Sequence, residues 1–238
     1  MYRQFAGLDA GLTQIPDEST ILRFRHLLEA HELSAQLLAT INDMLTARGL
    51  MLKSGSAVDA TLIAVRSSTK NESGERDPEM HQEKKGNQWH FGMKSQIGVN
   101  ADSSLRHTVV GTAANVNDVT QVPALLHGEE AVVFADAGNQ GGTKRAEATG
   151  VAWQIAMRPG KRRSLSATPW GTLAEQIEKA KASIRAKVEH PFRAIKHRFG
   201  HVKVRYRGLS KNTAQLVTLF ALGNLWMARK TLMKERAG

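Results

Sequence analysis

The order of apolar runs predicts a mixed α/β protein, a five-stranded mixed sheet flanked by helices behind an N-terminal helical segment. Three observations point there. Short apolar runs with β-branched residues occur at Ala57–Val65, Trp89–Val99, His107–Thr112, Ala131–Ala135 and Val151–Met157. Helical periodicity dominates residues 1–50 and the last third of the chain. Three carboxylates fall at positions where the pattern would bury or half-bury them: Asp59 inside the first run, Asp136 at the end of the fourth, and Glu189 in a long cation-rich helix. The order is strand with acid, hairpin, helix, strand with acid, strand, helix with acid, which is that of the ribonuclease-H-like fold. Such a fold sets the first and fourth strands side by side, so that acids distant in sequence could share metal ions.

Each element has its local reason. Pro16-Asp17-Glu18-Ser19-Thr20 starts a helix with Asp17 or Ser19 as cap, and Ile21, Leu22, Phe24, Leu27 and Leu28 follow at helical spacing. Ser34 is expected to cap a second helix with Leu37, Leu38, Ile41, Met44 and Leu45 on its apolar face, and Gly49 to end it. Residues 67–88 read as a polar loop. Asn100–Ser104 is the turn of a hairpin between the second and third strands, and Asn117-Asp118 opens a short helix reaching Leu126. A long helix over Leu173–Lys196 carries an apolar stripe of Ile177, Ile184, Val188, Ile195 and Phe199. A neighbouring stripe holds Arg185, Glu189, Phe192 and Lys196, and Pro191 predicts a kink close to the acid. Val202–Tyr206 is a short extended piece, and Asn212–Met233 a final apolar helix with Leu216, Leu219, Phe220, Leu222, Leu225 and Trp226 toward the core. The division expected is a helical segment over 1–52 and one α/β domain over 53–238.

Composition narrows the function. The 238 residues carry 33 Lys+Arg against 22 Asp+Glu, a formal charge of +11, which favours a polyanionic partner through counterion release. The absence of cysteine excludes disulfides and thiolate zinc sites and fits a reducing compartment. No apolar run approaches the roughly 18–20 residues that span a bilayer, and Met1–Phe5 has no apolar signal region, so a cytoplasmic location without membrane contact is expected. The nine histidines, such as His26 with His31 or His81 with His90, lack metal-ligand spacing.

The carboxylates carry the chemistry. An Asp in an apolar strand is costly to bury unless paired or metal-bound; otherwise it caps a turn. Asp136 precedes Ala137-Gly138-Asn139-Gln140-Gly141-Gly142, and an acid at a strand end before a glycine-rich loop is where ligands collect in such sheets. No Lys-Ser/Thr follows, as a nucleotide phosphate loop would require. Glu189 could ligate metal while Arg185 and Lys196 hold phosphates, or form an ordinary helical ion pair. Asp102 and Asp118 are set aside as a turn residue and a helix cap. Two strand acids and one helix acid suit two Mg²⁺ ions acting on a phosphodiester. Lys161, Arg162 and Arg163 form a basic loop for phosphate contact. Lys85 and Trp89 sit in a stretch mixing cations with an aromatic, as in a groove that stacks bases, with core as the alternative for Trp89.

With these motifs in order, the chain resembles bacterial DDE transposases of the insertion-sequence type five group, within the type-four superfamily. Val58-Asp59-Ala60-Thr61 looks like the first-acid motif and Ala135-Asp136-Ala137-Gly138 like the second. Arg185, Glu189 and Lys196 match an Arg-x3-Glu-x6-Lys signature. Lys85–Lys94, Thr112–Asp118 and Ile15–Arg25 match further blocks. The resemblance implies that Asp59, Asp136 and Glu189 are the catalytic triad and hold two Mg²⁺ ions, with Mn²⁺ as a substitute. It also implies a nucleoid-associated bacterial protein acting as a homodimer on double-stranded DNA, the element's terminal inverted repeats and the target. Water frees a 3′-OH at the element end, and that hydroxyl attacks target DNA. Departures are Asn139 where the family usually has Tyr, Ala182 in place of the signature's leading Tyr, and a short stretch ahead of Pro16, which reads as an N-terminal truncation. A structure-selective nuclease, and a truncated remnant that binds DNA or inhibits the full-length enzyme, are the alternatives.

Overall fold

The computed structural model describes residues 16–52, 54–66, 69–70, 72–136, 150–165 and 167–237. The N-terminal residues 1–15 and the glycine-rich loop after Asp136 lie outside the described residues. Helices α1 (Glu18–Ala30) and α2 (Leu33–Ala47) come first. Strands β1 (Gly55–Ala64), β2 (His81–Lys85), β3 (Gln88–Asn100) and β4 (Arg106–Ala113) follow, then helix α3 (Asp118–Leu125) and strands β5 (Val132–Ala135) and β6 (Ala152–Ile155). Helices α4 (Pro159–Arg163) and α5 (Pro169–Arg193), a π-helical turn (Ala194–Arg198) and α6 (Leu209–Ala237) complete the chain. This is the expected mixed sheet flanked by helices, with six strands instead of five.

The sixth strand is β2, which falls in the stretch read as a polar loop. It pairs with the first residues of β3, Gln88–Gly92, while β4 pairs with Met93–Val99. Gly92 pairs with both His81 and Ala64, so β2 lies along the edge of β3 opposite β1, the edge that β4 also uses. The six strands therefore fill five positions, in which β3, β1, β5 and β6 are neighbours. The pairs β1–β3, β2–β3 and β3–β4 are antiparallel, and β1–β5 and β5–β6 are parallel. At Gly92 an added Cβ would lie 2.2 Å from the carbonyl oxygen of Ile63, which explains the residue at that crossing. Val202–Tyr206 contributes only a bridge, Lys203 beside Ala64.

Both sheet faces are covered. On one, Ala57, Ile63, Met93, Ile97 and Val99 pack against Val188, Phe192 and Ile195 of the α5–π segment and Leu216 and Phe220 of α6. On the other, Val58, Val133 and Ala135 pack against Leu125 of α3. The strand period of two sorts the residues between these layers. A third cluster joins α2 to α6 through Leu38, Ile41, Leu45, Ala221 and Ala228, so the second N-terminal helix shares its core with the last.

Several local expectations are corrected. Asp17 caps α1 by accepting from the Thr20 N–H at 2.7 Å, but α1 buries no residue, and Ile21, Leu22, Phe24 and Leu27 are exposed. Ser34 is not a cap. It lies buried inside α2, where its Oγ accepts from Thr218, and the cap position is Glu32 in a left-handed conformation. Gly49, at φ +67, ends the helix as expected. Asn117, not Asp118, caps α3. The apolar stripe of α5 dips into the core only toward its C-terminal half, since Ile177 is exposed. Leu222 of α6 is also exposed.

Candidate active site

The register of β1 and β5 decides where the two strand acids meet. Gly55 pairs with Val132, Ser56 with Val133 and Ala57 with Phe134. Continuing two residues sets Asp59 level with Asp136. On β1, Ala57 and Ile63 face the α5 layer and Val58 the opposite one; on β5, Phe134 contacts the α5 layer while Val133 and Ala135 face away. Alternation thus turns Asp59 and Asp136 to the side that α5 covers. Helix α5 docks there through Val188 and Phe192, both buried, which sets the intervening Glu189 at the exposed rim of the contact.

Asp59, Asp136 and Glu189 line one cavity of about 320 Å³, together with Lys84, Lys85 and Arg185. Burial above all, with a smaller push from the charges of Asp136 and Glu189, raises the Asp59 carboxyl to about 6 against the opposing Ala60 N–H, 2.8 Å from its Oδ1, and Arg185. The Nε of Arg185 is buried and has no hydrogen-bond partner among the described residues. Three oxygen donors crowd their charges in a partly desolvated hollow, which is the donor chemistry of a hard divalent cation.

The cations around the cavity differ in role. Lys94, on β3, has a buried side chain whose amine pairs with Glu83 at 2.5 Å and Asp118 at 3.1 Å and donates to the Val116 carbonyl at 2.9 Å. It ties β2 and α3 to the sheet beneath the site. Lys196 donates to Thr61 Oγ1 at 2.6 Å and to the Leu62 carbonyl at 3.3 Å. Burial and the nearby charge of Lys85 lower its pKa, against the pull of Glu189. The π-helical turn that carries Lys196 follows Pro191 by three residues. Proline supplies no N–H, so the regular ladder is already interrupted there, and the widened turn is the local form of the expected kink.

Other candidates lie apart. Lys161, Arg162 and Arg163 lie in α4 rather than a loop; Arg162 and Arg163 line a different cavity, where Arg162 makes a bidentate pair with Glu175 at 2.8 and 2.9 Å. Trp89 is not in the core; it is 66% exposed on β3, beside the pairing partner Lys84 of β2. Glu83, Lys84, Lys94 and Asp118 reach the acid cavity although sequence reading did not select them. Only the pairing of β2 with β3 brings the first two there.

A second polar group, unread in the sequence, joins His107 on β4 to His127 and Glu130 in the loop before β5, with ligand-capable atoms all within 4.8 Å. Its donors and acceptors are engaged internally. The Ser56 hydroxyl donates to Glu130 Oε1 at 3.1 Å and accepts from His107 Nε2 at 2.9 Å, while Glu130 also accepts the His127 and Gly128 N–H groups, each at 2.8 Å. His127 Nδ1 accepts from the Glu129 N–H at 3.2 Å, which leaves its Nε2 proton facing Glu130 at 3.3 Å. The group is a clasp between β4, β1 and the entry to β5.

A family model described as a transposase DDE domain matches residues 51–225. No solved structure gives a significant match.

Proposed function

The chain belongs to the family of transposase DDE domains, and we propose that it cuts DNA at the ends of an insertion sequence of the type five group and joins the freed 3′-OH to target DNA. The observation that carries this reading is the meeting of Asp59, Asp136 and Glu189 in one cation-rimmed cavity, brought there by β-strand register and by the docking of α5. The family implies a DNA substrate, and the basic composition of the chain agrees with it.

In this account the three carboxylates hold two Mg²⁺ ions, or Mn²⁺ in their place. Bound there, the ions would stabilise the attacking and leaving oxygens of an in-line displacement. The chain's own cations do the positioning. Arg185, with its unpartnered Nε, and Lys85 take the phosphate oxygens of the scissile strand. Lys196 braces Thr61 and Leu62, which follow Asp59 on β1, and so holds the strand that presents the first acid. Water attacks the phosphodiester, the 3′ oxygen leaves, and the resulting hydroxyl displaces a 3′ oxygen of the target strand. Hydrolysis breaks one phosphodiester at the element end; in the joining step one target phosphodiester breaks as a new one forms, so no nucleotide cofactor is needed. Two element ends must be brought together, and a homodimer on DNA meets that need. Residues 53–238 form the catalytic domain, and 1–52 a helical segment attached to it through α2.

The test is cleavage and joining of a labelled duplex carrying the element's terminal repeat, with Mg²⁺ and with EDTA. Mg²⁺-dependent nicking at the repeat boundary together with joined product is the expected result. Nicking without joining would favour a nuclease, and binding without either product a DNA-binding remnant.

A further inference from the structure

The helical segment that carries Glu189 also borders a second, basic hollow. C-terminal to the acid, His190 and Arg193 of α5 and His197 and Arg198 of the π-helical turn line a separate hollow of about 730 Å³, closed on the other side by Trp226 and Arg229 of α6. The guanidinium of Arg229 lies 4.0 Å from the centroid of the Trp226 ring and that of Arg198 lies 5.4 Å away. No acidic side chain lines the hollow, and among the described residues no carboxylate pairs with Arg193, Arg198 or Arg229. This differs from Arg162, which Glu175 neutralises. Three arginines gathered without counter-charge make a locally positive surface that concentrates anions. The indole lowers the entropic cost of binding by holding two of the guanidiniums in place.

Position and shape identify the ligand. Arg193 stands one turn beyond Glu189, about 6 Å along the helix axis at 1.5 Å per residue. The two hollows are therefore neighbours along one helical segment. The hollow is recessed between two helices and cannot project into a groove to reach base edges, whereas phosphates protrude from a duplex and can enter it. It has no Asn, Gln, Asp or Glu side chain with which to read adenine or cytosine. Such a surface suits DNA that is held whatever its sequence. An element end must be recognised by sequence; a target need only be held.

We propose that this hollow binds the phosphodiester backbone of target duplex DNA, alongside the catalytic cavity on the same helix. The proposal rests on the DNA-transposition reading above.

The experiment measures affinity of the whole chain for two duplexes in EDTA, across a series of salt concentrations. One duplex has arbitrary sequence and the other carries the element's terminal repeat. In the Arg198→Gln/Arg229→Gln variant the slope of log affinity against log salt should fall by about 2, since each phosphate contact contributes about 0.9, with the same fold-loss on both duplexes. Arg193→Gln, an exposed substitution that leaves the Trp226 stack intact, should lower the slope by about 1. An unchanged slope in either folded variant overturns the proposal. So does a loss confined to the terminal-repeat duplex, which would make the hollow an end-recognition site. Failure of the unaltered protein to bind either duplex would instead remove the DNA reading on which the proposal stands.

Discussion

Acidification should unfasten the clasp that aligns the two acid-bearing strands. His107 sits between β4 and β1, with His127 and Glu130 facing it from the loop before β5 and Ser56 and Thr108 hydrogen-bonded to its ring. The ring fills the space over Gly98, where an added Cβ would come within 2.5 Å of it. Burial, reinforced by the charge of His127 and opposed by Glu130, lowers its pKa from 6.5 to about 4. The folded state therefore prefers neutral His107. The associated stability is fully present above pH 6.5 and is lost as pH falls toward 4. A folded value of about 4 against 6.5 unfolded gives a loss of about 2 kcal/mol between pH 7 and pH 5, and about 3 kcal/mol once both states are protonated. Urea unfolding in EDTA at pH 7 and pH 5 measures it. Burial also lowers His201, which adds to the fall in the same direction, so the decisive quantity is the difference between the unaltered chain and His107→Gln. Glutamine can still donate to Ser56 but does not titrate. The unaltered chain should lose about 2 kcal/mol more than the variant over this interval. An equal loss in both would refute the reasoning.

Other substitutions separate chemistry from architecture. Asp136→Asn should reduce Mg²⁺-dependent cleavage to background while DNA affinity stays level or rises, because one anion leaves a cation-rimmed cavity; gel-shift and cleavage assays on the same preparation check both halves. Gly92→Ala would place a methyl 2.2 Å from the Ile63 carbonyl oxygen and force β1 from β3, lowering stability by more than about 2 kcal/mol in thermal unfolding. Asn224→Ala should cost about 2–4 kcal/mol. It removes the acceptor that meets the backbone N–H and guanidinium of fully buried Arg106 at 3.0 and 2.8 Å, leaving a desolvated charge with fewer partners.

The strands that bear the acids were legible because they are buried on both faces and so read as short apolar runs in which an Asp is conspicuous. Their register was not, and it needed the parallel pairing of β1 with β5 to set Asp59 level with Asp136. Strand β2, His-Gln-Glu-Lys-Lys, has no apolar alternation because it lies at an exposed edge; it forms only because β3 runs beyond β4 and offers it a partner. Glu83 and Lys94 were silent for the same reason, since their pairing exists only across that ladder. Ser34 resembles a cap in isolation, yet the packing of α2 along α6 buries it and gives its oxygen a different donor, Thr218. His107 and His127 lie far from ligand spacing in the sequence, and the sheet closes that distance. The Arg-Glu-Lys spacing of α5 was readable as a stripe. Its geometry is more particular, since the π-helical turn after Pro191 carries Lys196 onto Thr61 and Leu62, which line the acid cavity.

The central claim is that Asp59, Asp136 and Glu189 act together as a divalent-cation site. The most direct measurement is Mn²⁺ binding, followed by electron paramagnetic resonance in the presence of duplex DNA, for the unaltered chain and for Asp59→Asn, Asp136→Asn and Glu189→Gln. Saturable binding in the unaltered chain that weakens in each variant is the predicted result. Binding that survives all three substitutions, or that is lost on altering His107 or Glu130 instead, would contradict the account.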